Sequence, residues 1–185
     1  RHEFVETCEG LIFAVVDDGV EDGRALCYLR YVRGQIGLKK LGTQRANQLL
    51  SSAHPEYLFH SPSRDAPLHG VPLSRIKRHH LPRDRAAELL ASGNLSFTAA
   101  RCQRLLETLA KLGIEPSCIG VTGSLLLGAE TDDSDIDLVI YDAASFQMAR
   151  NAIGSSAANQ PFRPLAMKDW HQAYQRRGCE LTLKK

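Results

Sequence analysis

Residues 10–16, GLIFAVV, and 25–32, ALCYLRYV, are runs rich in β-branched and aromatic side chains. They predict two strands, and the polar stretch Asp17–Gly23 between them predicts the turn of a hairpin over residues 4–32. TQRANQLLSSA at 43–53 predicts a short helix opened by Thr43 and stopped by His54-Pro55. Glu56–His60 predicts another short strand. Residues 61–85 hold Pro62, Pro67, Gly70, Pro72 and Pro82 and read as loop. Residues 83–92 predict a helix ending at Gly93. Ala100, Leu105, Leu106, Leu109 and Leu112 recur near the 3.6 period, so a longer helix follows, with Ser96 as its N-cap and Gly113 just past its end. Cys118–Thr122 predicts a strand, Ser124–Gly128 a short helix, and IDLVIY at 136–141 a strand again. Helices are expected at 145–153 and Lys168–Arg177, and the alternation of CELTL at 179–183 predicts a last strand. The expected class is α+β: a small α+β N-terminal portion over residues 1–90, then a second portion over 91–185.

Composition narrows the classes. Of the 185 residues, 43% are hydrophobic and 24% charged, as in an ordinary globular protein. The net charge of +2 is too small to argue for a polyanionic partner, so such a case rests on local patches. Cys8, Cys27, Cys102, Cys118 and Cys179 are scattered and show no C-x-x-C spacing. Reduced thiols are expected rather than zinc ligands or disulfides. No apolar run reaches the roughly 20 residues of a membrane span, and no signal peptide is evident. The expectation is a cytoplasmic protein with no membrane partner. The chain begins with Arg1 rather than Met and stops inside a strand-like segment, as a fragment would.

The densest chemical signal lies at residues 120–142, GVTGSLLLGAETDDSDIDLVIYD. Asp132, Asp133, Asp135 and Asp137 crowd against an apolar run, and carboxylates there are costly unless paired. An EF-hand is excluded, because Leu138 and Ala144 stand where it needs Gly and Glu. A P-loop is excluded, because Ala129 and Glu130 follow Gly128 in place of Lys and Ser/Thr. Asp132 and Asp133 suit a turn. Asp135 and Asp137 are two apart on a strand, so they are expected on one face, about 7 Å apart along the backbone. Ile136, Leu138 and Ile140 would then face the core. Paired carboxylates suit Mg²⁺ or Mn²⁺. Gly123 and Ser124, ten residues upstream, end a strand and open a helix, an arrangement suited to phosphate.

Gly123-Ser124, ten intervening residues and Asp135-Ile136-Asp137-Leu138 resemble the signature of the DNA polymerase β-like nucleotidyltransferases. The run GSLLLGAETDDSDIDLVIY is similar to their minimal branch, over roughly residues 115–142. FVETCEGLIFAVV and LHGVP loosely resemble predicted nucleotidyltransferases of uncharacterised function. The resemblance implies a small mixed sheet flanked by helices and two Mg²⁺ ions. It implies transfer of a nucleoside monophosphate from an NTP to an acceptor hydroxyl, with release of pyrophosphate. Gly123 and Ser124 would hold the outgoing phosphates, and Asp135 and Asp137 would bind the metals. A third carboxylate comes from a later strand in this family; Glu180 is the candidate, unless it lies beyond Lys185, and Asp169 reads instead as a helix cap.

The acceptor, an RNA, a protein or a small molecule, is not legible. RIKRHHLPRDR at 75–85 carries Arg75, Lys77, Arg78, Arg83 and Arg85 against one acid, which suggests phosphate contacts and tilts the choice toward RNA. A solvated connector explains the same run. Two further functions fit the chain: a catalytically inactive nucleotide- or RNA-binding module, and an antitoxin-like protein that nucleotidylates a partner.

Overall fold

The computed structural model describes residues 2–154 and 165–177. The predicted hairpin is present but longer. Strand β2 (Leu11–Glu21) runs to Glu21, and β3 (Arg24–Gly34) returns from Arg24. The turn is therefore Asp22-Gly23 alone, both residues at positive φ (48° and 68°), as an Asp-Gly hairpin turn requires. Asp17–Gly19 form an irregular part of β2, where the register with β3 shifts between Val15 and Val20. The projecting end of a hairpin buries little, so its polar composition imitates a turn. Strand β1 (Phe4–Thr7) pairs antiparallel with β2, and β4 (Gly37–Lys40) with β3.

Residues 61–85 are not a loop. They contain the end of β5 (Leu58–Ser61), β6 (Ala66–Pro72), a 3-10 turn at Leu73–Arg75, β7 (Ile76–His80) and the start of helix α2 (Pro82–Ala91). Pro67 and Pro72 stand near the ends of β6, where a missing amide does little harm to the ladder. β7 lies at one end of the sheet order β5-β6-β3-β2-β1-β7, with β4 also on β3. Lys77, Arg78 and His79 are exposed on it. Charge on an edge strand blocks further pairing, and it also makes the strand read as loop.

Both faces of this seven-stranded sheet are covered. Val5, Leu11, Phe13, Leu29 and Val71 pack on one face with Ala46 and Leu50 of helix α1 (Thr43–Ala53). That is why Leu11, Ile12 and Phe13 are all buried without alternation. On the other face Phe4, Ile12 and Tyr31 receive Leu126, which belongs to the short helix α4 (Gly123–Leu127).

The remaining elements form a second cluster. Ala86 and Leu89 of α2 pack with Ala99, Cys102, Leu106 and Leu109 of α3 (Phe97–Lys111) and with Ile119 and Val121 of β8 (Ile119–Thr122). Ser96 caps α3 as predicted, accepting from the Ala99 amide at 3.2 Å. Gly113 follows it at φ 86°. β8 pairs antiparallel with β9 (Asp137–Ile140). Helices α5 (Ala143–Gly154) and α6 (Met167–Arg177) complete the described chain. Asp169 behaves as a cap, its carboxylate accepting from the Ala166 amide at 2.8 Å. Among the described residues the class is α+β, with antiparallel sheets and six α-helices. Among the described residues no helix is long and apolar enough to cross a membrane.

Candidate functional site

The site is built on the β8–β9 pair. Thr122, the last residue of β8, stands opposite Asp137, the first of β9. The chain then turns at Gly123, whose φ of 68° favours glycine. A Cβ there would lie 2.5 Å from Asp137 Oδ2, so glycine is needed twice over. Gly123 and Asp137 are thus a mutual fit, joined across fourteen residues by strand pairing.

Asp135 precedes β9 instead of lying on it, a departure from the expected geometry of two aspartates on one strand face. Ile136, Leu138 and Ile140 do pack against the second cluster, as expected. What brings the two carboxylates together is a cavity of about 430 Å³, lined by Gly123, Ser124, Asp135 and Asp137. Both aspartates are exposed to solvent, and Ser124 is half-buried.

The loop before Asp135 is held at several points. Thr98 Oγ1, buried in α3, donates to the Thr131 carbonyl at 2.7 Å. Ser96 Oγ donates to Glu130 Oε1 at 2.8 Å. Thr131 and Ser134 close the turn: the Thr131 amide donates to Ser134 Oγ at 2.9 Å and the Ser134 amide to the Thr131 carbonyl at 3.0 Å. Asp132 and Asp133 occupy that turn, as predicted. Asp133 also lines the cavity, a role its turn chemistry concealed.

The opposite wall comes from the N-terminal sheet. Phe4, Arg30, Tyr31, Leu38 and Lys40 all line the same cavity. Tyr31 is buried and packs edge-on against Phe4, with ring centres 6.0 Å apart. Burial pushes its phenol pKa up; Arg30 opposes this and Asp137 adds to it. The phenol therefore stays protonated at neutral pH, close to the Asp137 carboxylate. None of these sheet residues belongs to the Gly-Ser or Asp-x-Asp pattern. One signal for Arg30 was present: it is a cation inside the apolar run ALCYLRYV, just as the aspartates border one.

A second cavity of about 380 Å³ meets Asp137 and Gly123 from the side of His2 and Glu3. Glu3 is bonded to His79 Nε2 at 2.6 Å. Among the described residues, no group of three or more His, Cys, Asp and Glu side chains is arranged to hold a metal ion. Glu180, expected as the third carboxylate, lies outside the described residues. Asp135 and Asp137 are nevertheless a hard-oxygen pair facing one cavity, and the missing Cβ of Gly123 leaves room beside them. Such a donor set suits Mg²⁺ or Mn²⁺.

The five basic residues at 75–85 have separate surroundings. Arg75 pairs with Glu9 at 2.7 Å. The neighbouring Thr7 hydroxyl and the Glu9 amide, with hydrogen bonds from Tyr57 and Arg75, hold the Glu9 carboxyl down at about 2. Arg83 stacks over the Tyr141 ring at 4.1 Å. Arg85 Nε donates to the Leu125 carbonyl at 2.9 Å, tying α2 to α4 beneath the site. Lys77 and Arg78 are exposed on β7, where the register with β1 shifts at Lys77. None of the five lines the cavity that holds the aspartates.

No family model matches the chain, and no solved structure matches it. Among curated proteins the chain is similar to an uncharacterized protein of Methanocaldococcus jannaschii, with 29% identity over 98% of this chain. The chain spans 58% of that relative's length.

Proposed function

We propose that the chain is a metal-dependent nucleotidyltransferase with a nucleotidyltransferase fold in its C-terminal half, transferring a nucleoside monophosphate from an NTP to an acceptor hydroxyl. The observation that carries this reading is the mutual fit of Gly123 and Asp137, with Ser124 and Asp135 in the same cavity. The resemblance assigns Gly123 and Ser124 to the outgoing phosphates, and Asp135 and Asp137 to two Mg²⁺ or Mn²⁺ ions. Bound divalent cations would supply the positive charge that lets a nucleophile approach a polyphosphate. The acceptor oxygen bonds to the α-phosphorus as the bond from that phosphorus to the bridging oxygen breaks. Pyrophosphate leaves with the electron pair, and the acceptor proton passes to water. The chain's own part is to hold the phosphates against Ser124 and to keep Asp135 in place through the Thr98–Thr131 bond.

The test is incubation of the full chain with Mg²⁺ and each labelled NTP, alongside total RNA or protein. Label is expected in one acceptor class, and Asp135→Ala and Asp137→Ala should each abolish it. NTP binding without transfer would instead identify an inactive nucleotide-binding module. Label transfer that survives either substitution would refute the site assignment. For an RNA acceptor, binding should weaken steeply with salt, and Lys77→Gln with Arg78→Gln should make that slope shallower.

A further inference from the structure

We infer that Arg30 and Lys40 form a phosphate-binding wall, so that the N-terminal sheet contributes half of the site that holds the NTP. The inference deepens the nucleotidyltransferase reading and rests on it for the identity of the ligand.

The geometry begins with a bulge. Ile12 pairs with Tyr31, but Phe13 pairs with Leu29, so Arg30 is an extra residue on β3 with no partner on β2. Adjacent residues of a regular strand point to opposite faces. The bulge breaks that rule, and Arg30 and Tyr31 line the same cavity. Bulges commonly re-aim a side chain beside a functional site. The Arg30 carbonyl is anchored by the Leu41 amide at 2.8 Å. Lys40 is opposite Tyr31 on β4 and shares its face. Two cations from neighbouring strands therefore converge across the cavity from Ser124.

Their surroundings leave them available. Neither Arg30 nor Lys40 makes an ion pair among the described residues, whereas Arg33, Arg64, Arg75 and Arg85 all do. Arg30 is half-buried and Lys40 exposed, so both reach a solvent-accessible ligand. The cavity has acids on one wall and cations on the other. A bound polyphosphate answers both: divalent cations bridge it to the carboxylates, and the guanidinium and ammonium groups contact it directly. Cations placed only to neutralise Asp133, Asp135 and Asp137 would instead be expected in direct contact with them.

The test uses the full chain and two probes, inorganic tripolyphosphate and ATP with Mg²⁺, with affinity measured by calorimetry. Arg30→Gln and Lys40→Gln should each weaken tripolyphosphate binding about tenfold, as loss of one charge-assisted contact does. Arg30→Lys should restore part of the loss. Lys39→Gln is the control: Lys39 pairs with Val32 on the opposite face of the same strand, so it removes equal charge without touching the cavity. Its effect should stay under about twofold. Circular dichroism melts check that each variant folds.

Absence of tripolyphosphate binding by the parent, or equal losses in Lys39→Gln and Lys40→Gln, would overturn the inference. Label transfer that the double Arg30→Gln, Lys40→Gln variant leaves unchanged would also overturn it, while the enzymatic reading stands. Binding that the double variant loses, in a parent that transfers no label, supports the wall and removes the enzymatic reading.

Discussion

The seven-stranded sheet and the β8–β9 pair differ in where they keep their polar groups. The sheet buries an acid with its partners: Glu6 is 5% exposed, with Arg33 bonded to it at 2.7 and 3.0 Å and His80 at 3.1 Å. The β8–β9 pair exposes Asp137 at its edge, with Asp135 exposed just before it, and buries Ile119–Thr122 of β8. Two strands alone are marginally stable, so this pair depends on α2 and α3 for support. The difference separates an acid buried and paired within the framework from acids that face an open cavity. The regions meet at Leu126 and across the candidate cavity.

The strongest way to sharpen this contrast is Gly123→Ala. Its Cβ would collide with the Asp137 carboxylate at a φ that alanine resists. On the proposed function, nucleotidyl transfer should fall by about 10³-fold or more, because the displaced carboxylate would hold a cation whose charge stabilisation is worth several kcal/mol. The accompanying loss of stability should be about 2 kcal/mol, read by urea melts.

Leu126→Ala attacks the junction itself. It removes the one buried side chain that α4 inserts against Phe4, Ile12 and Tyr31. A cost of about 3 kcal/mol is expected. A clean single transition would mean the two regions unfold together; a split transition would mean that they are separable.

Glu6→Gln tests the framework, with an expected cost of about 2 kcal/mol, since Arg33 is itself half exposed. The pH dependence has a definite sign. The Arg33 hydrogen bond lowers the Glu6 pKa from 4.5 against an opposing burial effect. That contribution is present above pH 4.5 and is lost as pH falls through the lower folded value. Burial lowers His80 from 6.5 despite its bond to Glu6. The unfolded chain therefore takes up the His80 proton first, and stability declines as pH drops below 6.5. Melting temperatures should fall in two stages on acidification, and Glu6→Gln should shrink the second, which Glu9 shares. The smallest effect is expected from Ser96→Ala. It deletes the α3 cap and the bond to Glu130, at about 1 kcal/mol, and loosens the loop that carries Asp135.

The local elements around the site were legible in the sequence. Helix α3 carries its stripe and both of its stop signals in contiguous residues, and the Gly-Ser to Asp-x-Asp spacing is likewise local. Long-range pairing was not. β6 and β7 have proline-bounded or charged sequences that become strands only because β3 and β1 offer them partners. The expected loop at 75–85 fails for that reason, and its five cations are dispersed by the fold instead of forming one patch around the aspartates.

The sequence by itself grouped Gly123, Ser124, Asp135 and Asp137, through a glycine turn before a helix, an acid pair at a strand start, and the resemblance of their spacing to a known signature. Only the tertiary structure decided what faces them. Arg30 reaches the cavity because the β2–β3 register slips by one residue, and Lys40 because β4 folds back beside Tyr31. Register is a property of two strands at once, so no stretch of the chain read alone specifies it.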